Sequence, residues 1–304
     1  LAEPENRDWL QNNNIFSVCE DRSGNIWIGT EGGLARFNKK LGKFRTFRHH
    51  ADQPSSVSHD AVLTVFADRY GTVWAGTRGG LDRFNEETEN FSRCGFAAAG
   101  RSGRDGEAVT AISEDRAGRL WVGTEDKGLW RSDRSKNHFT AWGGDPGSKT
   151  GLSDGHVKAL LTDREGVLWI GTKYGGLNRL AAQDQESASP VFSCYRRDPF
   201  DPGSLTSNEI QSLYEDRAGT LWVGTYGGGI NFVSRTKKNF LHYAHDPKDE
   251  NTLSHDIVWA LHESDDGILW IGTHGGGLDR LDRRQNHCTH FRTVPHDPNS
   301  LSHD

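Results

Sequence analysis

The chain has 304 residues and a formal net charge of -6, from 36 basic and 42 acidic side chains. That balance argues against a fold that binds nucleic acid mainly through its phosphates. No apolar run approaches the roughly 18–20 residues a membrane span needs, and the polar opening Leu1-Ala2-Glu3-Pro4 lacks a signal-peptide pattern. The sequence contains no Met, so residue 1 is not expected to be a translation start and the chain reads as a mature form or an excised segment. Cys19, Cys94, Cys194 and Cys288 fit no zinc spacing and are expected to be free, mostly buried thiols.

In chain order, one block returns six times. Trp27, Trp74, Trp121, Trp169, Trp222 and Trp270 stand at intervals of 47, 47, 48, 53 and 48 residues, and each opens a Trp-(Ile/Val/Ala)-Gly-Thr run. A fixed period of this length marks a repeat architecture in which no unit buries its own apolar face. Each copy begins with a short apolar run such as Ile15-Phe16-Ser17-Val18 or Ile210-Gln211-Ser212-Leu213. An acidic turn with Gly follows, as in Glu20-Asp21-Arg22-Ser23-Gly24, then the Trp strand and a Gly-Gly turn. A third run reads Leu34-Ala35-Arg36-Phe37 or Leu278-Asp279-Arg280-Leu281, and a fourth Phe44-Arg45-Thr46-Phe47 or Phe240-Leu241-His242-Tyr243.

Runs of this length, rich in β-branched and aromatic residues and bounded by Gly, Asn and Asp, read as strands. Four strands per period predict an all-β fold, a β-propeller of four-stranded antiparallel blades, with six repeats visible and membership of a seven-bladed ring as the alternative. The blades are expected at about 10–48, 57–95, 104–143, 152–196, 205–244 and 253–294, as one domain, with 295–304 opening a further linker. The third position of the first strand is small in every copy (Ser17, Thr64, Ala111, Ala159, Ser212, Ala260), which lets first strands crowd together. The tryptophans are expected to pack between neighbouring sheets. The turn Asp is expected to cap its own turn and the Gly to supply positive φ.

The pattern Glu-Asp-x-x-Gly-x-Leu-Trp-Ile-Gly-Thr, followed by Gly-Gly-Leu-x-Arg-Phe, resembles the two-component regulator propeller repeat. Glu215 to Thr225 and Leu168 to Leu180 fit it almost residue for residue, and the linker from His245-Asp246-Pro247 to Ser254-His255-Asp256 fits as well. The resemblance implies the periplasmic or extracytoplasmic sensor region of a histidine-kinase-type receptor, often one that responds to oligosaccharides. The chain departs from the pattern at Asp126-Lys127-Gly128, at Ile230-Asn231-Phe232-Val233, at Ser264 and in a longer loop near Ala181 to Pro190. Pro4 and the C-terminal Asp297-Pro298 fall at similar phases of the linker, so the array is expected to continue on both sides. Self-association through a ring seam, or contact with adjacent receptor domains, is expected on the same ground.

Strand direction places the linkers and the Gly-Gly turns on one face and the acidic turns on the other. On the first face the candidate ligand-binding residues are Arg78, Lys173, Tyr174, Tyr226 and His274 at the turns, and His59, Asp60, His156, Glu209, His255 and Asp256 at the strand entrances. Aromatic rings with mixed charges suit an oligosaccharide or another polar small molecule. His156, Glu209, His255, His274 and Tyr226 also allow an enzyme of polysaccharide lyase or hydrolase type. A protein-interaction platform or rigid spacer is the remaining reading. The recurring His-Asp pairs favour a strand-entry cap over a metal site, and no catalytic residue, metal or cofactor is assigned.

Overall fold

The computed structural model describes residues 6–7, 10–96, 106–142, 151–187, 190–233 and 239–304. The expected positions of Pro4, the third blade's limits at 104 and 143, and residues 188–189 of the long loop fall outside them. The described chain forms six antiparallel sheets, the blades of a β-propeller, each with the four strands of its repeat in chain order. Two compact units are distinguished, Leu1–Gly144 with Gly155–Val157 and Asp145–Asp154 with Lys158–Asp304. Blades one to three lie in the first and nearly all of blades four to six in the second.

First strands are Ile15–Glu20, Val62–Ala67, Val109–Glu114, Val157–Thr162, Ile210–Glu215 and Val258–Glu263. The Trp strands are Ile26–Thr30, Val73–Thr77, Leu120–Thr124, Leu168–Thr172, Leu221–Thr225 and Leu269–Thr273. Third and fourth strands follow, from Gly33–Asn38 and Lys43–Phe47 in blade one to Leu278–Asp282 and His287–Phe291 in blade six. The longer loop of copy four holds a short 3-10 turn, Ala182–Glu186, whose Gln185 side chain is buried and donates to Gly166 O at 2.7 Å. Blade one gains a strand that the sequence did not suggest. Asn6–Arg7 pairs antiparallel with Lys43–Phe47, using the free edge a last strand offers.

The tryptophans do pack between blades. Trp27 joins Val57, Val62, Val73 and Phe84 of the next blade, and Trp222 joins Leu253, Val258 and Leu269. The third-strand arginine lies over the indole of its own blade. Arg36 lies 5.6 Å from Trp27, Arg83 5.7 Å from Trp74 and Arg179 5.9 Å from Trp169. Blade five lacks that arginine. There Phe232 stacks on Trp222 at 4.9 Å and Arg283 of blade six supplies the guanidinium at 5.3 Å.

The glycine of the Trp strand is fixed by crowding. A Cβ on Gly171 would stand 2.5 Å from Ile210 Cγ2, and one on Gly123 2.4 Å from Val157 Cγ1. The first strand of the following blade therefore seats directly on this glycine. Gly272 of blade six is the exception, since a Cβ there would meet only Ala260 of its own blade, at 3.5 Å.

The four thiols are free, but not uniformly hidden. Cys288 is buried, Cys19 and Cys94 are half-buried and Cys194 is exposed, so the expectation of mostly buried thiols is met in full only at Cys288. Burial pushes the Cys19 and Cys288 thiols up to about 12 and Cys94 to about 11.

Candidate binding face

The turn after each Trp strand lies beside the entrance to its own first strand. The backbone N–H of Arg78 donates to Ala61 O at 3.1 Å, that of Tyr226 to Glu209 O at 3.0 Å and that of His274 to Ile257 O at 3.1 Å. Neighbouring blades are joined at the same end. Gly229 N–H donates to Asp256 O at 2.8 Å and Gly176 N–H to Asn208 O at 3.0 Å. Linkers and Gly-Gly turns thus share one end of the blades.

Each candidate residue can now be placed. In the first unit, His59 accepts the Ala61 N–H at Nδ1 (2.9 Å) and Asp60 Oδ1 accepts the His49 N–H at 2.8 Å. Asp256 and His255 repeat this in blade six, with His245 N–H at 2.7 Å and Ile257 N–H at 3.0 Å. The His-Asp pairs are therefore strand-entry caps, with Nδ1 as acceptor and Nε2 left to carry the proton. Arg78 is exposed, and His156 Nε2 lies 3.7 Å from Glu125 Oε1.

In the second unit, Tyr174 is 65% exposed, its N–H held by Asp154 Oδ2 at 2.8 Å, with Lys173 Nζ 5.0 Å from its ring. Tyr226 is 47% exposed, and the neighbouring Glu209 accepts from Gln211 Nε2 at 3.1 Å. His274 gathers a cluster, its ring 6.1 Å from His255 and 6.0 Å from Trp259.

Trp259 was not anticipated. It sits at a β-bulge between Val258 and Ala260, where the first strand slips register against the Trp strand. The same bulge recurs at Phe16, Leu63, Thr110 and Gln211. A bulge leaves one residue unpaired and re-aims its side chain. Its signal in the sequence is that this second position varies from Phe to Gln to Trp while the third is always small.

A second set of residues missed by sequence reasoning locks four of the linkers, those of blades two, four, five and six, each to its own blade. Buried Asp82 accepts from Ser58 N–H (2.8 Å) and Ser58 Oγ (2.6 Å), and Asp279 accepts from Ser254 N–H at 2.8 Å. Asn178 and Asn231 do the same for Ser153 and Thr206, at 3.0 Å each. Blade one has Ala35 and Gln11 at these positions, so the acceptor side chain and the linker hydroxyl are both lost. Asp279 also binds His290 Nδ1 at 2.6 Å, and Cys288 completes a group whose ligand-type atoms lie within 4.8 Å of one another. His290 Nε2 lies 3.0 Å from Glu250 O, so this group is spent on holding the linker.

The family model described as two component regulator propeller matches residues 10–32, 103–126, 151–174, 204–227 and 252–275. These five stretches are two-component regulator propeller repeats. The copy around Trp74 lies outside the matched stretches; it has Phe66-Ala67-Asp68 where the pattern has Glu before Asp. No curated protein matches the sequence. Among solved structures, the chain is similar to the extracellular domain of a putative hybrid two-component system from B. thetaiotaomicron, with 24% identity, a TM-score of 0.77 and coverage of 97% of this chain and 36% of that one. It is similar to the extracellular domain of a putative one-component system from the same organism, at 25% identity and TM-score 0.50, covering 92% and 37%. It also resembles virginiamycin B lyase from Staphylococcus aureus at 13% identity and TM-score 0.67, covering 97% and 89%. The chain thus spans little more than a third of the two receptor domains, and the likeness to the lyase is one of fold alone.

Proposed function

We propose that this propeller is a non-catalytic ligand-binding module of an extracytoplasmic signal-transduction receptor. Its ligand is an oligosaccharide or a similar polar molecule, taken at the Gly-Gly end of the blades. The observation that carries the reading is the cluster of Trp259, His274 and His255, with ring centroids about 6 Å apart from one to the next. Trp259 is 47% exposed, so its indole offers an accessible face suited to stack on a sugar ring. The receptor setting is supported by the family and by the two extracellular domains the chain resembles.

Thermal shift against a panel of oligosaccharides tests the proposal. A bound sugar raises Tm, and Trp259→Ala removes the shift without changing the Tm of the free protein. Release of products from any member of the panel would instead favour the lyase-like reading, for which the fold shared with virginiamycin B lyase is the supporting observation.

A further inference from the structure

The acidic-turn end of the blades carries a second arrangement, independent of the Gly-Gly end. Between blades two and three, Lys136 comes from the turn joining the third and fourth strands of blade three. Its Nζ binds Asp68 Oδ2 at 2.5 Å and Glu114 Oε1 at 3.0 Å. Between blades five and six, Arg283 comes from the same turn of blade six. It binds Asp216 Oδ2 at 2.5 Å, and also Glu263 Oε1. In both places a cation plugs the slot between the turn Asp of one blade and the Glu ending the first strand of the next. The plugging ammonium also faces aromatic rings, Tyr70 at 5.2 Å and Trp74 at 6.0 Å.

Between blades one and two the plug is missing. The turn of blade two reads Glu86-Glu87-Thr88-Glu89, so Glu86 stands where blade six has Arg283. The first strand ends in Ala67 where blades three and six have Glu114 and Glu263. Asp21 keeps its bond from Trp27 Nε1 at 2.7 Å, and its remaining partner on that oxygen is the neutral Asn25 amide at 3.0 Å. An open cleft of about 560 Å³ is left. Its charged lining is Asp21, Glu86 and Glu87 against Arg22 and Arg83, a surplus of one negative charge, and Arg83 is already committed to the face of Trp74. Tyr70, 71% exposed, supplies an aromatic wall, whereas Trp27 is buried and reaches the cleft only where its Nε1 meets Asp21.

We infer that this cleft is a binding site for a small organic cation, a ligand bearing a primary ammonium or guanidinium group. Its charge takes the place that Lys136 and Arg283 fill in those two slots, between Asp21 and the Glu86 carboxylate and against the Tyr70 ring. Two sources share this chemistry, an amino sugar and a free basic amino-acid derivative. A cleft of this volume accepts either.

The test is calorimetric titration of the protein with glucosamine and with arginine amide, N-acetylglucosamine serving as the uncharged control. The double variant Ala67→Glu/Glu86→Arg rebuilds the plug of blade six. At least one of the two cations is expected to bind the unaltered protein, with the control silent. The double variant is expected to fold, to melt no lower than the parent and to lose at least ten-fold in affinity. Tightness for glucosamine or for arginine amide identifies the source. Binding by neither cation, equal binding of the uncharged control, or unchanged affinity in the folded double variant would each overturn the inference. Trp259→Ala, at the other end of the blades, should leave this binding intact, so its result is separable from the sugar reading.

Discussion

Trp270 donates its indole N–H to Ser264 Oγ at 3.1 Å, six residues upstream. The same span joins Trp27 to Asp21 (2.7 Å), Trp74 to Asp68 (3.0 Å), Trp169 to Asp163 (2.9 Å) and Trp222 to Asp216 (2.9 Å). The turn Asp is therefore more than a cap. One oxygen gathers turn N–H groups, as Asp68 Oδ1 does from Tyr70 and Thr72. The other satisfies the only polar atom of the tryptophan side chain, which would otherwise be buried unpaired.

This predicts a graded cost among equivalent aspartates. Asp68→Ala also takes one of two carboxylates from the buried Lys136, leaving it Glu114 alone, so it should destabilise by about 3 kcal/mol, at the low end for disturbing a buried ion pair. Asp21→Ala loses neutral hydrogen bonds only and should cost about 1–3 kcal/mol. Burial alone would raise the Asp68 carboxyl, but bonds from Lys136 and Trp74 outweigh it and hold it below its ordinary 3.8. A depressed acid stabilises the fold above its unfolded value and loses that contribution as pH falls. Denaturant melts should show the gap between Asp68→Ala and the parent closing below about pH 3.8. Equal costs for the two variants at neutral pH would contradict this account.

Asp82 has the opposite sign. Burial raises it, and the Ser58 bonds together with the charges of Arg93 and His49 recover only part of the shift. Its favourable contribution is present below the unfolded value and fades as pH rises, so at neutral pH its charge is a burden. Asp82→Asn copies Asn178 and Asn231 and should lie within about 1 kcal/mol of the parent at pH 7, on the stable side if anything. Asp82→Leu orphans the Ser58 N–H and leaves its hydroxyl to Thr77 alone, and should cost about 1–3 kcal/mol. Chemical denaturation of both variants reads the difference, and an Asn variant as damaged as the Leu one would refute the latch.

Gly171→Ala and Gly272→Ala make the same change at equivalent positions. The first drives a methyl into Ile210 and should cost about 1–3 kcal/mol, as overpacking does. The second meets only Ala260 at ordinary contact distance and should be near neutral. Two Tm measurements decide it, and similar losses would mean that a following strand does cover Gly272.

Much of this fold was legible because its causes are local. The Trp spacing, the small third positions and the Gly-Gly turns each follow from strand periodicity and crowding, and all appear within one period. The bond from Trp to Asp was within reach too, since the six-residue span is constant. Partners between blades were harder to see. Lys136 and Arg283 do one job from turns of different length, so alignment alone does not equate them. Trp259 was passed over because a register slip is invisible until strands are paired. On the candidate face, the recurrence of His59-Asp60 and His255-Asp256 already pointed to strand-entry caps, but not to which backbone N–H each accepts. Their backbone acceptor roles depend on where the linker turns.

The link from Ser58 to Asp82, and its counterparts in blades four to six, has a bearing on how such arrays grow. Both halves of each lock lie within about 25 residues, inside one period that starts in the linker. A duplication with that phase copies a complete unit, so the daughter arrives with its own approach already fastened. A duplication begun after the linker would part donor from acceptor and pair each with an untested neighbour. Gene segments gained or lost in whole periods should therefore leave a foldable protein more often when the breakpoints precede the serine than when they follow it.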